Sequence, residues 1–535
     1  MRDQSLGTPE QFLSQTAAGL VHLALIGGLS ALAALAVTLY LRRRGERWTW
    51  ALGGPALAVP VWDISHAAGW ICAVGGALAT WLSLRWDQRD REAGGDLALA
   101  AAARRGPLQV LRRRWARREL NAGRWCGPQG LVVGRDQGGL PVRVPFGRRE
   151  GAHVLVVGAT GSGKTVTQTW ITVRAIEQGH GAIVIDPKGD DALRAALVSQ
   201  SERSGRPLLE WTPDGPAVYN PYGDGVDTEI VDRALAAERY TEPHYLRQAQ
   251  RYLGQAVRAM RLANAPITPA RLVRYLEPIQ LEVLGRSLPE SDARRLWAYL
   301  DSLTPHQLRD LAGTRDRLAV LAESEAGRWL DPEASPSAAF TLGQAVAERA
   351  VVLFRLEADR RPLLGQMLGA AILQDVLSTA ARHQAAPVPT TVMVDEFSAL
   401  AAPQVARLFA RTRAAGISLL LGTQELSDLR AAGGDTLLHQ VLGNVSALVA
   451  HRQVVPDSAE LVAGVAGTQG TWVSQQRTSF GLAGPAPSGT STRSRGREYI
   501  VHPDLIKSLA PGVAAVVSAS GRERPRVARV FRAAA

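Results

Sequence analysis

The chain has 535 residues, enough for two to four domains at about 100–200 residues each. With 46% hydrophobic and 21% charged residues it is neither disordered nor collagen-like. The formal net charge of +12 favours a polyanionic partner, nucleic acid or anionic lipid, without choosing between them. Three residues, Lys164, Lys188 and Lys507, are lysine; the rest of the 61 basic residues are arginine. Two cysteines, Cys72 and Cys126, exclude a disulfide framework and a Cys-based metal site, and the ten histidines form no ligand spacing.

In chain order, the first element is the apolar run Ala17–Leu41, long enough as a helix to cross a bilayer core of about 30 Å. It is too long for a signal-peptide core and no A-x-A cleavage site directly follows it, so it is expected to stay attached. Arg42, Arg43, Arg44 and Arg47 come next. A second apolar region, Trp48–Leu84, is interrupted by Pro55, Pro60 and Asp63. Residues 1–90 therefore read as a transmembrane region of two or three spans: about 17–41, about 66–84 and, in the three-span alternative, 48–62. Three spans put Arg42–Arg47 and the Arg85–Arg91 flank together on the cytoplasmic side, as the positive-inside tendency asks, and are preferred. Residues 91–125 read as a basic juxtamembrane linker. After Asp96, Arg104, Arg105, Arg112, Arg113, Arg114, Arg117 and Arg118 come with no acid among them before Glu119. They suit anionic lipid, DNA phosphates, or simply a solvated helix face.

His153–Val157 is a short, wholly apolar run that reads as a buried parallel strand. It leads into Gly158, Ala159, Thr160, Gly161, Ser162, Gly163, Lys164 and Thr165, a complete G-x-x-x-x-G-K-[ST] phosphate loop. Glycines let the backbone wrap closely and aim its N–H groups at phosphate oxygens, helped by the N-terminus of the following helix. Lys164 should reach the β- and γ-phosphates of ATP, and the Thr165 hydroxyl should ligate Mg²⁺. The helix is expected from about Gly163 to Gln178.

A partner strand ending in acid is found at Val392–Glu396. Asp395 is expected at the Mg²⁺, directly or through water, and Glu396 is expected to polarise the attacking water. A further strand, Gly416–Gly422, ends at Thr423 and Gln424, and a polar tip there could sense the γ-phosphate. The distance between Lys164 and Asp395 exceeds what adjacent core strands need, so a domain is inserted. Residues 228–340 read as all-α: Leu246, Ala249, Leu253, Val257 and Met260 recur at helical spacing, and Thr268-Pro269 and Thr304-Pro305 are helix starts. The core is divided accordingly into 126–227 and 341–535, with strand character returning at Ala350–Leu356. Gly467–Arg497, rich in Gly, Ser and Thr and without an acid, reads as a flexible basic loop able to follow a DNA backbone. Val513–Val517 and Arg526–Phe531 read as closing strands.

The ordered set HVLVVGATGSGKT, Ile185–Asp190 (IDPKGD), VMVDEFSAL, Arg413–Gly416 and LGTQ resembles the type IV secretion coupling proteins, the TraD/TraG group of the FtsK/HerA class of P-loop ATPases. The resemblance implies a RecA-like P-loop core with an inserted all-α domain and an N-terminal transmembrane region. It also implies a membrane-anchored homo-hexamer in the inner or plasma membrane, with its ATPase body in the cytoplasm, moving DNA with a relaxase through conjugative type IV secretion. Relaxosome proteins and secretion-channel components would be its partners. It puts a trans-acting arginine finger at Arg413, with Arg411 the alternative, and the strand-end glutamine at Gln424. The family commonly carries a small extracytoplasmic domain between two spans, and here few residues remain for one. Other readings are an FtsK-like motor on double-stranded DNA without a secretion channel, and a recruitment platform switched by nucleotide. Retention of Glu396, Arg413 and Gln424 favours turnover over a bare switch.

Overall fold

The computed structural model describes residues 9–44, 51–92, 107–127, 130–146, 151–238, 240, 242–398, 408–409, 411–481, 484–519 and 523–533. They form two units, Met1–Val110 with Gly470–Arg497, and Leu111–Gln469 with Glu498–Ala535.

The first unit holds α1 (Pro9–Arg44), α2 (Gly53–Trp62) and α3 (His66–Glu92). Val21–Leu41 in α1 and His66–Trp86 in α3 are each long and apolar enough to cross a membrane. The ten residues of α2 rise only about 15 Å before Asp63 ends the helix, half a bilayer core. It folds back along α3: Trp62 stacks on His66 at 5.3 Å and meets Trp70 edge-on, while Gly54 and Pro55 lie against Gly76. On α1, Ser30, Ala34, Thr38 and Leu41 are buried at helical spacing. A Cβ on Gly75 would come within 3.1 Å of the Ser30 carbonyl, and Ala34 shares a buried cluster with Ala79. Both pairings have one sequence offset, so α1 and α3 run parallel, in contact through small residues as apolar helices prefer. Arg47, Arg104 and Arg105, and the side chains of Arg42–Arg44, Arg112 and Arg113, lie outside the described residues.

The segment expected to be a flexible loop is instead two strands, β13 (Thr468–Gly481) and β14 (Gly484–Tyr499), paired in a sheet of their own. Its Thr, Val, Trp and Phe residues tolerate extended backbone. Its polar composition has no apolar–polar alternation, so the period-2 signal that marks a half-buried strand is missing.

The second unit is built on a twelve-stranded sheet. Its strands are β1 (Cys126–Gly127), β2 (Gly130–Asp136), β3 (Pro141–Val144), β4 (Val154–Val157), β5 (Gly181–Asp186), β6 (Leu208–Trp211), β9 (Val351–Arg355), β10 (Thr390–Val394), β11 (Ile417–Thr423), β12 (Ala447–Ala450), β15 (Val513–Ser518) and β16 (Arg526–Val530). The order is β1-β2-β16-β15-β12-β4-β11-β10-β5-β9-β6, with β3 on β2. From β12 to β6 all pairs are parallel. Apart from the partly buried edge strand β6, those strands are short, mainly apolar runs buried on both faces, as helix-covered parallel strands must be. From β12 outward the pairs are antiparallel, and the chain's last strand, β16, lies between β15 and β2. Trp125, Trp170 and Phe531 form an aromatic knot there, with centroids 5.1–5.3 Å apart, and the Trp170 indole donates to Val132 O at 2.8 Å. The apolar helix Pro362–His383 is also long enough for a membrane, yet 83% of its apolar window is buried within this unit, so it is a core helix.

Between β7 (Val218–Tyr219) and β8 (Ala339–Phe340), which pair in parallel, lies an all-helical insertion: Asp227–Ala234, Pro243–Leu262, Pro269–Tyr275, Pro278–Gly285, Glu290–Asp301 and Pro305–Ala322. Four of these helices begin with proline, whose missing N–H would be unpaired there anyway. Thr268 and Thr304 cap theirs by accepting from Arg271 N and Gln307 N. Ala249, Leu253, Val257 and Met260 lie buried on one face of Pro243–Leu262, continuous with the sheet's core. At the root of the insertion Arg233 and Asp375, both buried, pair at 3.1 Å, and Tyr219 donates to the other carboxylate oxygen at 2.9 Å.

Candidate nucleotide site

The site forms where the parallel strands end. β4 delivers the phosphate loop and the helix Lys164–Glu177 follows at once. Gly161 and Gly163 have φ of 74° and 108°, left-handed values that glycine adopts without steric cost. Gly158 N donates to Gln424 O at 3.0 Å and so ties the loop to the end of β11. Gly512 N donates to Ser162 O at 2.8 Å from the turn before β15.

Four charges and an amide converge beside the loop. Lys164 Nζ lies 2.6 Å from Glu396 Oε1 and 3.3 Å from Asp395 Oδ1. Lys188 Nζ is 2.9 Å from the same Glu396 oxygen, and Gln424 Nε2 donates to it at 3.2 Å. Thr165 Oγ1 donates to Asp395 Oδ2 at 3.3 Å. Glu396 has φ of 47°, uncommon for a residue with a Cβ, and such conformations concentrate at functional sites. Burial alone would raise its carboxyl, but Lys164 and Lys188 outweigh burial and hold it below the ordinary glutamate range. Burial pushes the nearby Asp186 carboxyl up, against the three backbone N–H groups that it accepts.

Lys164, Thr165, Asp395, Glu396 and Gln424, which the sequence singles out, are thus brought together. Arg413 is not. It lies at the other end of β11, about 20 Å away at 3.3 Å per residue, exposed and donating to Asn444 O at 3.1 Å. Arg411 is exposed too, while Arg407 lies outside the described residues. The residues fit nucleotide and metal. The Thr165 hydroxyl and the Asp395 carboxylate set two hard oxygens side by side, the donor type Mg²⁺ prefers. Ser162 Oγ, within the loop, is buried without a protein partner, an orphan that a phosphate oxygen would satisfy.

Two residues of the site escaped the sequence reasoning. One is Lys188. The other is His451, fully buried beneath the loop: a Cβ on Gly158 would lie 2.7 Å from its Cβ. Its Nδ1 is 3.1 Å from Val513 O, which can only accept, so Nδ1 carries the proton and Nε2 accepts from Thr167 Oγ1 at 2.8 Å. Burial lowers its pKa to about 4, keeping it neutral. A lone histidine after an apolar strand carries no signal of this role; its fixed place at the end of β12, beside β4, creates it.

Two family models match in chain order. "Type IV secretion-system coupling protein DNA-binding domain" covers residues 136–194, and "TraM recognition site of TraD and TraG" covers 389–511. Among curated proteins, the type 4 coupling protein DotL of Legionella pneumophila subsp. pneumophila is 44% identical over 54 residues, 10% of this chain and only 7% of that protein. Among solved structures, the unbound conjugative coupling protein TrwBdeltaN70 superposes with a TM-score of 0.55 at 18% identity, over 76% of this chain and 90% of that one. TrwB in complex with ADP and Mg²⁺ gives 0.55 at 18%, over 79% and 92%. At such identity the likeness speaks for the fold, and the RecA-like α/β core with an inserted all-α domain is the fold found. The matched models, their order and that fold together group the chain with the type IV secretion coupling proteins.

Proposed function

We propose that the chain is a membrane-anchored ATPase that couples MgATP hydrolysis to moving DNA, with an attached relaxase, through conjugative type IV secretion. The observation that carries this reading is the convergence of Lys164, Thr165, Asp395, Glu396 and Gln424 at the C-terminal ends of β4, β10 and β11. Lys164 and the loop N–H groups bind the phosphates. Thr165 and Asp395 hold Mg²⁺, which neutralises phosphate charge when bound. Glu396, ionised, accepts a proton from the attacking water, and Gln424 reports the γ-phosphate to β11. Arg413, remote from its own phosphate loop, serves the neighbouring subunit of a homo-hexamer.

The DNA partner is supported by the net charge of +12 and by the matched model described as a DNA-binding domain; the matched TraM recognition site supports relaxosome partners. Anchoring in the cell membrane is supported by the two apolar helices α1 and α3. Their parallel packing favours three crossings: the chain between them returns across the bilayer, with α2 covering about half of that depth, and Arg42–Arg44 end on the cytoplasmic side with Arg85. The test is steady-state ATPase of the full chain in detergent, with and without single- and double-stranded DNA. Hydrolysis stimulated by DNA is expected, lost in Lys164→Ala with nucleotide binding and lost in Glu396→Gln without it. A wild-type chain that binds MgATP and never turns it over would leave a nucleotide-switched platform instead.

A further inference from the structure

Two of the three lysines of the chain meet at one atom. Lys164 and Lys188 both approach Glu396 Oε1, at 2.6 and 2.9 Å, while Lys507 pairs at the surface with Asp504. Nearly every other cation here is arginine. An ammonium group is a compact point charge on a flexible stem and packs beside another cation more readily than a planar guanidinium fork.

Lys188 is held in place for this contact. Asp186 at the end of β5 accepts the backbone N–H groups of Lys188 and Gly189, both at 3.0 Å, and of Asp190 at 2.6 Å, which knots the turn. Asp190 then caps the next helix by accepting from Ala192 N and Leu193 N. β5 pairs in register with β10, with Ile185 opposite Val394, and Asp395 N donates to Ile185 O at 3.1 Å. The knotted turn and the Asp395–Glu396 pair are therefore neighbours at the same sheet edge, and the Lys188 side chain crosses from one to the other.

Lys164 has two claims on it. It is the loop lysine, whose ammonium goes to the β- and γ-phosphates, and it is the nearest cation to Glu396. Each contact it gives to phosphate is one withdrawn from the carboxylate. Gln424 supplies only a neutral amide at 3.2 Å. We propose that Lys188 is a positioning residue for Glu396, the cation that keeps the carboxylate aimed at the attacking water while Lys164 serves the nucleotide. This rests on Glu396 acting on water, as proposed above. Lys188 touches no phosphate in this role, so it acts on turnover and not on binding.

The test uses the full-length chain in detergent. It measures affinity for a fluorescent non-hydrolysable ATP analogue, kcat and KM for MgATP, and the unfolding midpoint. The variants are Lys188→Met and Lys188→Arg, with Lys164→Ala and Glu396→Gln beside them. Lys188→Met should bind the analogue within about twofold of wild type and keep its KM, with kcat down roughly 10–100-fold, the usual cost of losing a group that orients a reacting one. Lys188→Arg should recover part of that loss. The side chain is 42% exposed, so the substitution leaves the core intact, and Lys188→Gln repeats the measurement should methionine lower the unfolding midpoint. Wild-type turnover in Lys188→Met overturns the proposal. So does a loss of analogue affinity like that of Lys164→Ala, or an arginine variant no better than methionine. If Glu396→Gln hydrolyses at the wild-type rate, the reading of Glu396 falls and takes Lys188 with it. If Glu396→Gln is inactive and Lys188→Met is unimpaired, only the role of Lys188 fails.

Discussion

The buried Arg233–Asp375 pair should decide whether the helical insertion and the sheet melt as one body. Arg233 is the most buried large cation described, with 0% of its side chain exposed, and Asp375 has 2%. The guanidinium donates to Asp375 Oδ1 at 3.1 Å, to Pro221 O at 2.7 Å and to Glu229 O at 3.2 Å, and also to Asp224 O. Asp375→Ala strands that charge and leaves the Tyr219 hydroxyl without its acceptor. Removing one partner of a buried pair costs about 3–5 kcal/mol. At about 2.1 cal/mol/K of unfolding entropy per residue, a cooperative unit of roughly 400 residues then loses about 4–6 °C in midpoint. Differential scanning fluorimetry of the full chain at pH 7.5 reads this directly. Arg233→Met alone should cost a similar amount, and the double variant clearly less than the sum, because it no longer buries a lone charge. A midpoint unchanged within a degree in Asp375→Ala would refute the reasoning. Strict additivity in the double variant would deny that the two side chains are coupled.

Burial, against the pull of Arg233 and Tyr219, raises the Asp375 pKa to about 6. The folded chain therefore holds this proton more tightly than the unfolded one, and the stability it contributes below about pH 4 is lost as pH rises through about 6. Between pH 5 and 7.5 wild type should lose about 1 kcal/mol relative to Asp375→Asn, and parallel pH profiles would contradict this. Arg413→Ala should keep nucleotide affinity and lose about 10³-fold or more of the DNA-stimulated rate. Mixing it with Glu396→Gln should restore activity by creating interfaces where both groups are intact; co-assembled mixtures as inactive as either parent would remove the trans role. Cysteines placed at Arg42–Arg44 should be shielded from membrane-impermeant thiol reagents in intact cells, and ready labelling would favour two spans.

The phosphate loop was legible because its chemistry dictates its spelling: the backbone must approach phosphate, so glycines fall at fixed places between a strand and a helix. That helix, expected from about Gly163 to Gln178, runs Lys164–Glu177. The helical insertion was legible for local reasons too, through proline starts and the stripe of Ala249, Leu253, Val257 and Met260. What stayed hidden is long-range or unpatterned. The reach of Lys188 to Glu396 depends on β5 and β10 being neighbours, and nothing within five residues of either encodes it. His451 gains its role only because β12 lies beside β4. The β13–β14 ribbon is mostly polar and shows no apolar–polar alternation, and composition alone reads such a segment as loop.

The place of β16 has a consequence for synthesis. β2 and β3 are among the first strands of the sheet to leave the ribosome, yet the joint connecting them to the parallel strands is β16, made nearly 400 residues later. Until Arg526–Val530 emerges, β2 and β15 both carry unpaired strand edges, templates for pairing with other chains. Trp125 and Trp170, in contact with each other beside β2, meanwhile lack Phe531. A product truncated after Ser518 would keep every residue of the nucleotide site and still fail to close its sheet. Nascent chains therefore present both open edges to other chains until β16 has emerged.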